Sequence, residues 1–154
     1  MYEPPSSGAT LRVVTDSPEW QDLQRELEAL ARDAKCFNAY VFDAWENPWC
    51  AAHSFTEVAR EDLLDLVRAG TARARAPLHR GGVLDSCLSG RMGHAYLKTY
   101  ASCYVLVLRF SGPFDEQKTR AAVSLALPRL EALTVRLPPS GGPGSRGQEA
   151  AKRG

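Results

Sequence analysis

Cys103-Tyr104-Val105-Leu106-Val107-Leu108 is the longest unbroken apolar run in this chain, and the architecture turns on where it sits. A short run with no polar face predicts a strand in the middle of a sheet, covered on both sides. Working back from it, residues 94–100 and 83–88 read as two further strands, with Ser89-Gly90-Arg91 as the tight turn between them and Gly81-Gly82 as the loop before. Working forward, Ser111-Gly112-Pro113 closes the sheet. A helix follows, with Ala122, Leu125, Ala126, Leu130 and Leu133 as its apolar stripe. Pro128 falls inside that stripe and predicts a kink near the carbonyl of Ser124.

The first half of the chain supplies the remaining elements. Asp16 and Glu19 have capping-box spacing, and Pro18 suits a first helical turn. Trp20, Leu23, Leu27, Leu30, Ala31 and Ala34 then recur at helical spacing, leaving Asp22, Arg25, Glu26 and Arg32 outside. Residues 37–44 are aromatic and β-branched enough for a strand. Glu46-Asn47-Pro48 breaks it, and 49–53 resumes in extended form, which makes a hairpin. Residues 57 to about 75 form a second helix with Val58, Leu63, Leu66, Val67 and Gly70 or Ala74 on one side, and Pro77 ends it. The order is α-β-β-α-β-β-β-α: an α/β (α+β) domain in which short connections favour a five-stranded antiparallel sheet flanked by three helices.

Outside this domain, residues 1–15 with Pro4, Pro5 and Gly8 read as a flexible lead. Residues 138–154 are Pro/Gly/Ser-rich without apolar periodicity and read as a disordered tail. No internal repeat is visible. Formal net charge is +1, from 19 basic and 18 acidic residues, so no nucleic-acid or membrane partner is expected. No segment approaches the roughly 20 apolar residues a bilayer requires. Met1-Tyr2-Glu3-Pro4-Pro5 has neither a basic n-region nor an apolar h-region, so the expected location is cytoplasmic.

The chemistry-bearing residues form no converging motif. Cys36, Cys50, Cys87 and Cys103 are widely spaced without a C-x-x-C pair, and buried reduced thiols are the expectation. Cys50 and His53 lie three apart in an extended segment and so point to opposite faces. Cys87 and His94 approach each other across the turn at 89–91, the one arrangement suited to an activated thiol, although use of cysteine as a small hydrophobe is commoner. Gly81-Gly82 precedes a strand and cannot offer helix N-terminal amides to a phosphate. No enzyme activity, cofactor or metal is expected.

Three features point to contacts with other proteins. Leu64 widens the stripe of the second helix, so Leu63, Leu64, Leu66 and Val67 exceed what one face of a monomer buries, and an open strand edge also needs covering. Arg68, Arg73, Arg75, His79 and Arg80 lie in a stretch, 66–84, without an acidic residue. It reads either as a patch for an acidic partner or, the favoured reading, as solvated cations at a helix C-terminus. Trp45 and Trp49 flank the hairpin turn, either exposed as an interaction patch or folded back onto a neighbouring helix. Leu63, Leu64, Leu66, Val67, Arg68, Trp45 and Trp49 are therefore the candidate interaction residues.

The element order resembles the Roadblock/dynein light-chain family in its bacterial members. The likeness spans about 17–137, so that 16–137 reads as a Roadblock-like domain. It is carried by the first helix, by Asn38-Ala39-Tyr40-Val41-Phe42-Asp43 with Trp49-Cys50-Ala51-Ala52, by the middle helix, by Ala95-Tyr96-Leu97-Lys98 and Tyr104-Val105-Leu106-Val107-Leu108, and by Ala126-Leu127-Pro128-Arg129-Leu130-Glu131. Members commonly carry a D-x-x-G pattern after the first strand. Here Asp43-Ala44-Trp45-Glu46 has no glycine. The resemblance implies a profilin-like fold of two or three layers. It also implies a homodimer, or a dimer with a related Roadblock-like chain, built through the middle helix and a sheet edge, and regulation or scaffolding of a Ras-like small GTPase. The alternative from a different class is a small-molecule sensor of the GAF or PAS type, which needs a roomy cavity with converging polar groups.

Overall fold

The computed structural model describes residues 18–53, 57–90 and 93–137, without side-chain detail at 57–60. The lead, the Asp16 cap, the Val58 side chain, Arg91 and the tail named above lie outside what it describes. Eight main elements run in the order α1 (Pro18–Ala34), β1 (Asn38–Asp43), β2 (Pro48–Ala51), α2 (Glu57–Thr71), β3 (Asp85–Gly90), β4 (Gly93–Tyr100), β5 (Tyr104–Phe110) and α3 (Glu116–Val135), with a short 3-10 turn at Leu78–Arg80.

All strand pairs are antiparallel, in the order β2-β1-β5-β4-β3. The apolar run of β5 is therefore the central strand, paired through Val41↔Leu106 on one side and Leu97↔Val107 on the other. Alternation along the strands builds two cores, because successive side chains leave opposite faces. Ala39, Val41, Tyr96, Leu106 and Leu108 face α1 and α3, meeting Trp20, Leu23, Leu27, Leu30, Val123, Leu130 and Leu133. Tyr40, Phe42, Ala95, Leu97, Val105 and Val107 face α2. The result is three layers, with two helices on one face and one on the other.

Two expectations fail, each for a geometric reason. Leu63, Leu64, Leu66 and Val67 are 0%, 6%, 2% and 2% exposed, so all four are consumed within the chain. At about 100° per residue, Leu63, Leu66, Val67 and Gly70 span one face and Leu64 sits at its flank. One helix lying alone on a wide sheet contacts it along both flanks, and Leu78 and Leu84 close over the sides. At Gly70 an added Cβ would come 3.2 Å from the Leu84 side chain, which shows how closely α2 lies.

On α3, Leu125 is 85% exposed and leaves the stripe. The buried residues are Thr119, Val123, Leu130, Leu133 and Thr134, and Leu125 lies about 140° around the helix from Leu130. Helix α3 runs on through Pro128, which with Ser124 is on its exposed side. Helix α2 stops at Thr71, whose hydroxyl donates back to the Val67 carbonyl at 2.7 Å.

Candidate interaction surfaces

The hairpin between β1 and β2 is organised by one buried carboxylate. Asp43 is 3% exposed, and its Oδ1 accepts the backbone N–H groups of Trp45 (2.8 Å) and Asn47 (3.0 Å). Its Oδ2 accepts Asn47 Nδ2 (3.2 Å) and the indole Nε1–H of Trp49 (3.0 Å). This draws Trp49 inward: it is 1% exposed, stacks on Trp20 with centroids 5.4 Å apart, and meets Tyr104 edge-on at 5.3 Å. Trp49 is thus a core residue with no surface to offer, a correction to its place among the interaction candidates. Trp45 goes the other way. It is 43% exposed and stacks on His79 at 5.9 Å.

Glu46, the fourth residue of Asp43-Ala44-Trp45-Glu46, has a φ of +69°. The turn places a glutamate in the left-handed conformation that glycine adopts without strain. Its carboxylate receives Arg68 of α2, with Nη2 at 2.8 Å and Nε at 3.2 Å. Arg68, Glu46, Trp45 and His79 thereby join the hairpin tip to the C-terminal end of α2 and the turn after it. Arg73, Arg75, His79 and Arg80 are all exposed around this junction, and so is Val83 at 71%. Among the described residues, no carboxylate forms an ion pair with Arg73, Arg75 or Arg80.

A second surface is the edge of the sheet at β3, which among the described residues pairs with β4 alone. The Leu84 carbonyl accepts Thr99 N–H at 2.9 Å, and Leu84 stands opposite Thr99 in the continued register. By alternation, the backbone groups of Ser86 and Leu88 face β4 while those of Asp85, Cys87 and Ser89 face outward. Asp85 is held by Lys98 Nζ (3.2 Å) and Arg120 (3.2 Å), and Arg120 reaches Glu116 (3.3 Å). Burial pushes the Asp85 carboxyl up, but hydrogen bonds from Tyr96, Lys98 and Arg120 and the charge of Lys98 hold it below its ordinary range.

The thiols carry no activation. Burial drives Cys36 up to about 11 and Cys50 up to about 12; at Cys87 burial and the neighbouring Glu116 charge give about 11. The ring Nδ1 of His94 lies 3.0 Å from Ser89 Oγ, so the partner of that histidine is a serine on the paired strand. Among the described residues there is no group of three or more His, Cys, Asp or Glu able to hold a metal ion, and no helix long and apolar enough to cross a membrane. A half-open cleft of about 300 Å³ lies between the end of α1 and the start of α3, lined by Lys35, the stacked pair Phe110 and Phe114, and Lys118.

Solved structures share this arrangement. The gliding protein MglB from Thermus thermophilus superposes with a TM-score of 0.63 at 15% identity, covering 88% of this chain and 100% of that one. An MglB with a tetrameric arrangement gives 0.60 at 17% identity, covering 85% and 96%. A Roadblock/LC7 domain from Streptomyces avermitillis gives 0.50 at 12% identity, covering 70% and 96%. No family model and no curated protein sequence matches the chain. The likeness is one of fold: three helices around a five-stranded antiparallel sheet, as in Roadblock domains.

Proposed function

We propose that this Roadblock-fold chain is a non-catalytic interaction module that pairs with itself, or with a second chain of the same fold, and in that form regulates or scaffolds a Ras-like small GTPase. The observation that carries the pairing is the β3 edge. A six-residue strand with outward backbone groups at Asp85, Cys87 and Ser89 is a template for another strand. Two copies related by a two-fold axis would join antiparallel β3 strands into one continuous sheet. The apolar residues of α2 are not required, since the chain has already buried them. Support for association comes also from the MglB neighbour seen in a tetrameric arrangement. The GTPase partner rests on the family resemblance of the sequence.

Light scattering after gel filtration tests the pairing. Wild type should elute as a dimer at micromolar concentration. Cys87→Pro, which removes an outward-facing N–H and no bond to β4, should elute as a monomer with its circular dichroism spectrum retained. A wild type that stays monomeric at about 100 μM, a concentration at which any Kd that matters would show, overturns the reading. The GTPase is tested separately, by adding a Ras-like small GTPase from the same genome and measuring pull-down and hydrolysis. No capture and an unchanged rate would remove that partner while leaving the pairing intact.

A further inference from the structure

We propose that the hairpin tip and the α2–β3 connection together form a docking surface for an acidic segment of a partner protein, one that carries an apolar side chain among its carboxylates. Charge is the first reason. Residues 66–84 contain no acidic residue, and Arg73, Arg75 and Arg80 are exposed without a carboxylate partner among the described residues. A solvated helix end accounts for cations in the last turn of α2. It does not account for Arg73, Arg75 and Arg80, which lie beyond Thr71, where that helix ends.

The second reason is the apolar surface set into the charge. Trp45 is 43% exposed with its ring against His79, and Val83, four residues along from that histidine, is 71% exposed. Tryptophan and arginine together are the residue types that dominate protein contacts. A polyphosphate backbone or an anionic bilayer would reward a broad basic excess, and the chain as a whole is only +1.

The third reason is that the surface is already shaped. Gly82 N–H donates to the Pro77 carbonyl at 3.0 Å, and a Cβ at Gly82 would sit 2.0 Å from the Ala76 carbonyl oxygen, so the connection folds tightly on itself. Groups held in place lose less freedom on binding. Glu46 occupies Arg68 and so withholds a fourth guanidinium from the surface. The surface lies at the sheet end that carries the hairpin tip, and the proposal stands whether or not β3 pairs with another copy.

The test uses the full chain and two fluorescein-labelled peptides of alternating aspartate and glutamate. One has a leucine–phenylalanine pair at its centre, the other a glycine pair. Anisotropy should show the leucine–phenylalanine peptide binding more tightly, with the preference gone in Trp45→Ala. Each exposed guanidinium is worth a factor of about two to three, so Arg73→Ala/Arg75→Ala/Arg80→Ala should weaken binding about tenfold. Glu46→Gln, which frees Arg68 without altering the backbone, should tighten it by about the same factor of two to three. Melting curves confirm that each variant is folded, and the three single arginine variants replace the triple one if it is not. The proposal is overturned if neither peptide binds at millimolar concentration or if the arginine variants bind as wild type. Stronger binding of phosphatidylserine vesicles or a short DNA duplex through the same arginines also overturns it.

Discussion

Replacing Asp43 tests whether one carboxylate sets the direction of both tryptophans in the hairpin. Asp43→Ala strands four donors. The two turn amides and the Asn47 side chain are partly buried, and water can take over there. The indole N–H of Trp49 cannot reach water, since that residue is 1% exposed. A stranded buried donor costs about 1–3 kcal/mol and a hydrogen bond to a charged acceptor contributes about 1.5–3, so the alanine variant should lose about 3 kcal/mol. Asp43→Asn is the sharper probe. Its oxygen can still serve the two turn amides, but its NH₂ then faces the indole N–H and the Asn47 amide, donor against donor. That should cost about 2 kcal/mol. In a Trp49→Phe background the indole donor is gone, and the asparagine should be less harmful by about 1 kcal/mol or more. Urea unfolding followed by circular dichroism gives all four corners of the cycle. If the two substitutions add to within about 0.5 kcal/mol, the bond from Trp49 to Asp43 is not what turns the indole inward.

Other outcomes follow from single residues. Glu46→Gly should be more stable than Glu46→Gln by about 1 kcal/mol in urea, since both lose Arg68 and only glycine accepts a φ of +69° without strain. Leu125→Ser should unfold within about 0.5 kcal/mol of wild type while Leu130→Ala loses about 3, which separates the exposed from the buried side of α3. Cys36, Cys50 and Cys87 should react slowly with a neutral thiol reagent at pH 7.5, and a fast stoichiometric reaction at any of them would contradict their raised ionisation. The same shifts set a pH dependence. The folded thiols ionise above their ordinary value of 9.0, so their contribution is complete below about pH 9 and is lost as pH climbs toward 11, because the unfolded chain ionises first. Thermal melts between pH 8 and 11 would show that decline. A flat profile would argue against it.

The sequence made the centre of the sheet legible because β5 has no polar face to give away: only a strand covered on both sides can use Tyr104-Val105-Leu106-Val107-Leu108. Helix α1 was equally plain, since Trp20, Leu23, Leu27, Leu30 and Ala31 mark one narrow face and charges fill the other. Helix α3 misled because leucine and alanine surround it on all sides. Val123, left out of the stripe, fixes its rotation, and Leu125 only looks like a core residue when Val123 is ignored. Leu64 misled for a different reason. How much of a helix becomes buried depends on the width of what it lies on, and no pattern within α2 records the breadth of the sheet beneath it. The hairpin was half-readable. Asp43 and Asn47 are turn-forming residues, but nothing in Asp43-Ala44-Trp45-Glu46 reveals that a glutamate has taken the left-handed position or which tryptophan the carboxylate captures.

The burial of α2 also changes what kind of association the proposed module would have. Had Leu63, Leu64, Leu66 and Val67 been left over, pairing would scale with apolar area and would tolerate changes of register. With that face consumed, the edge at β3 offers mainly backbone groups, with Leu88 sealed and Asp85, Ser86 and Ser89 polar. Strand pairing of this sort is specified by hydrogen-bond register, since a slip of one residue exchanges the two faces. On the proposed two-fold, Cys87 and its neighbours would meet their own copies, so the charges nearest the edge matter more than area does. Asp85 is already bound by Lys98 and Arg120, which spares the edge an uncompensated carboxylate. A reversible dimer sensitive to proline at outward positions and indifferent to polar changes on the outside of α2 is what such an edge can support.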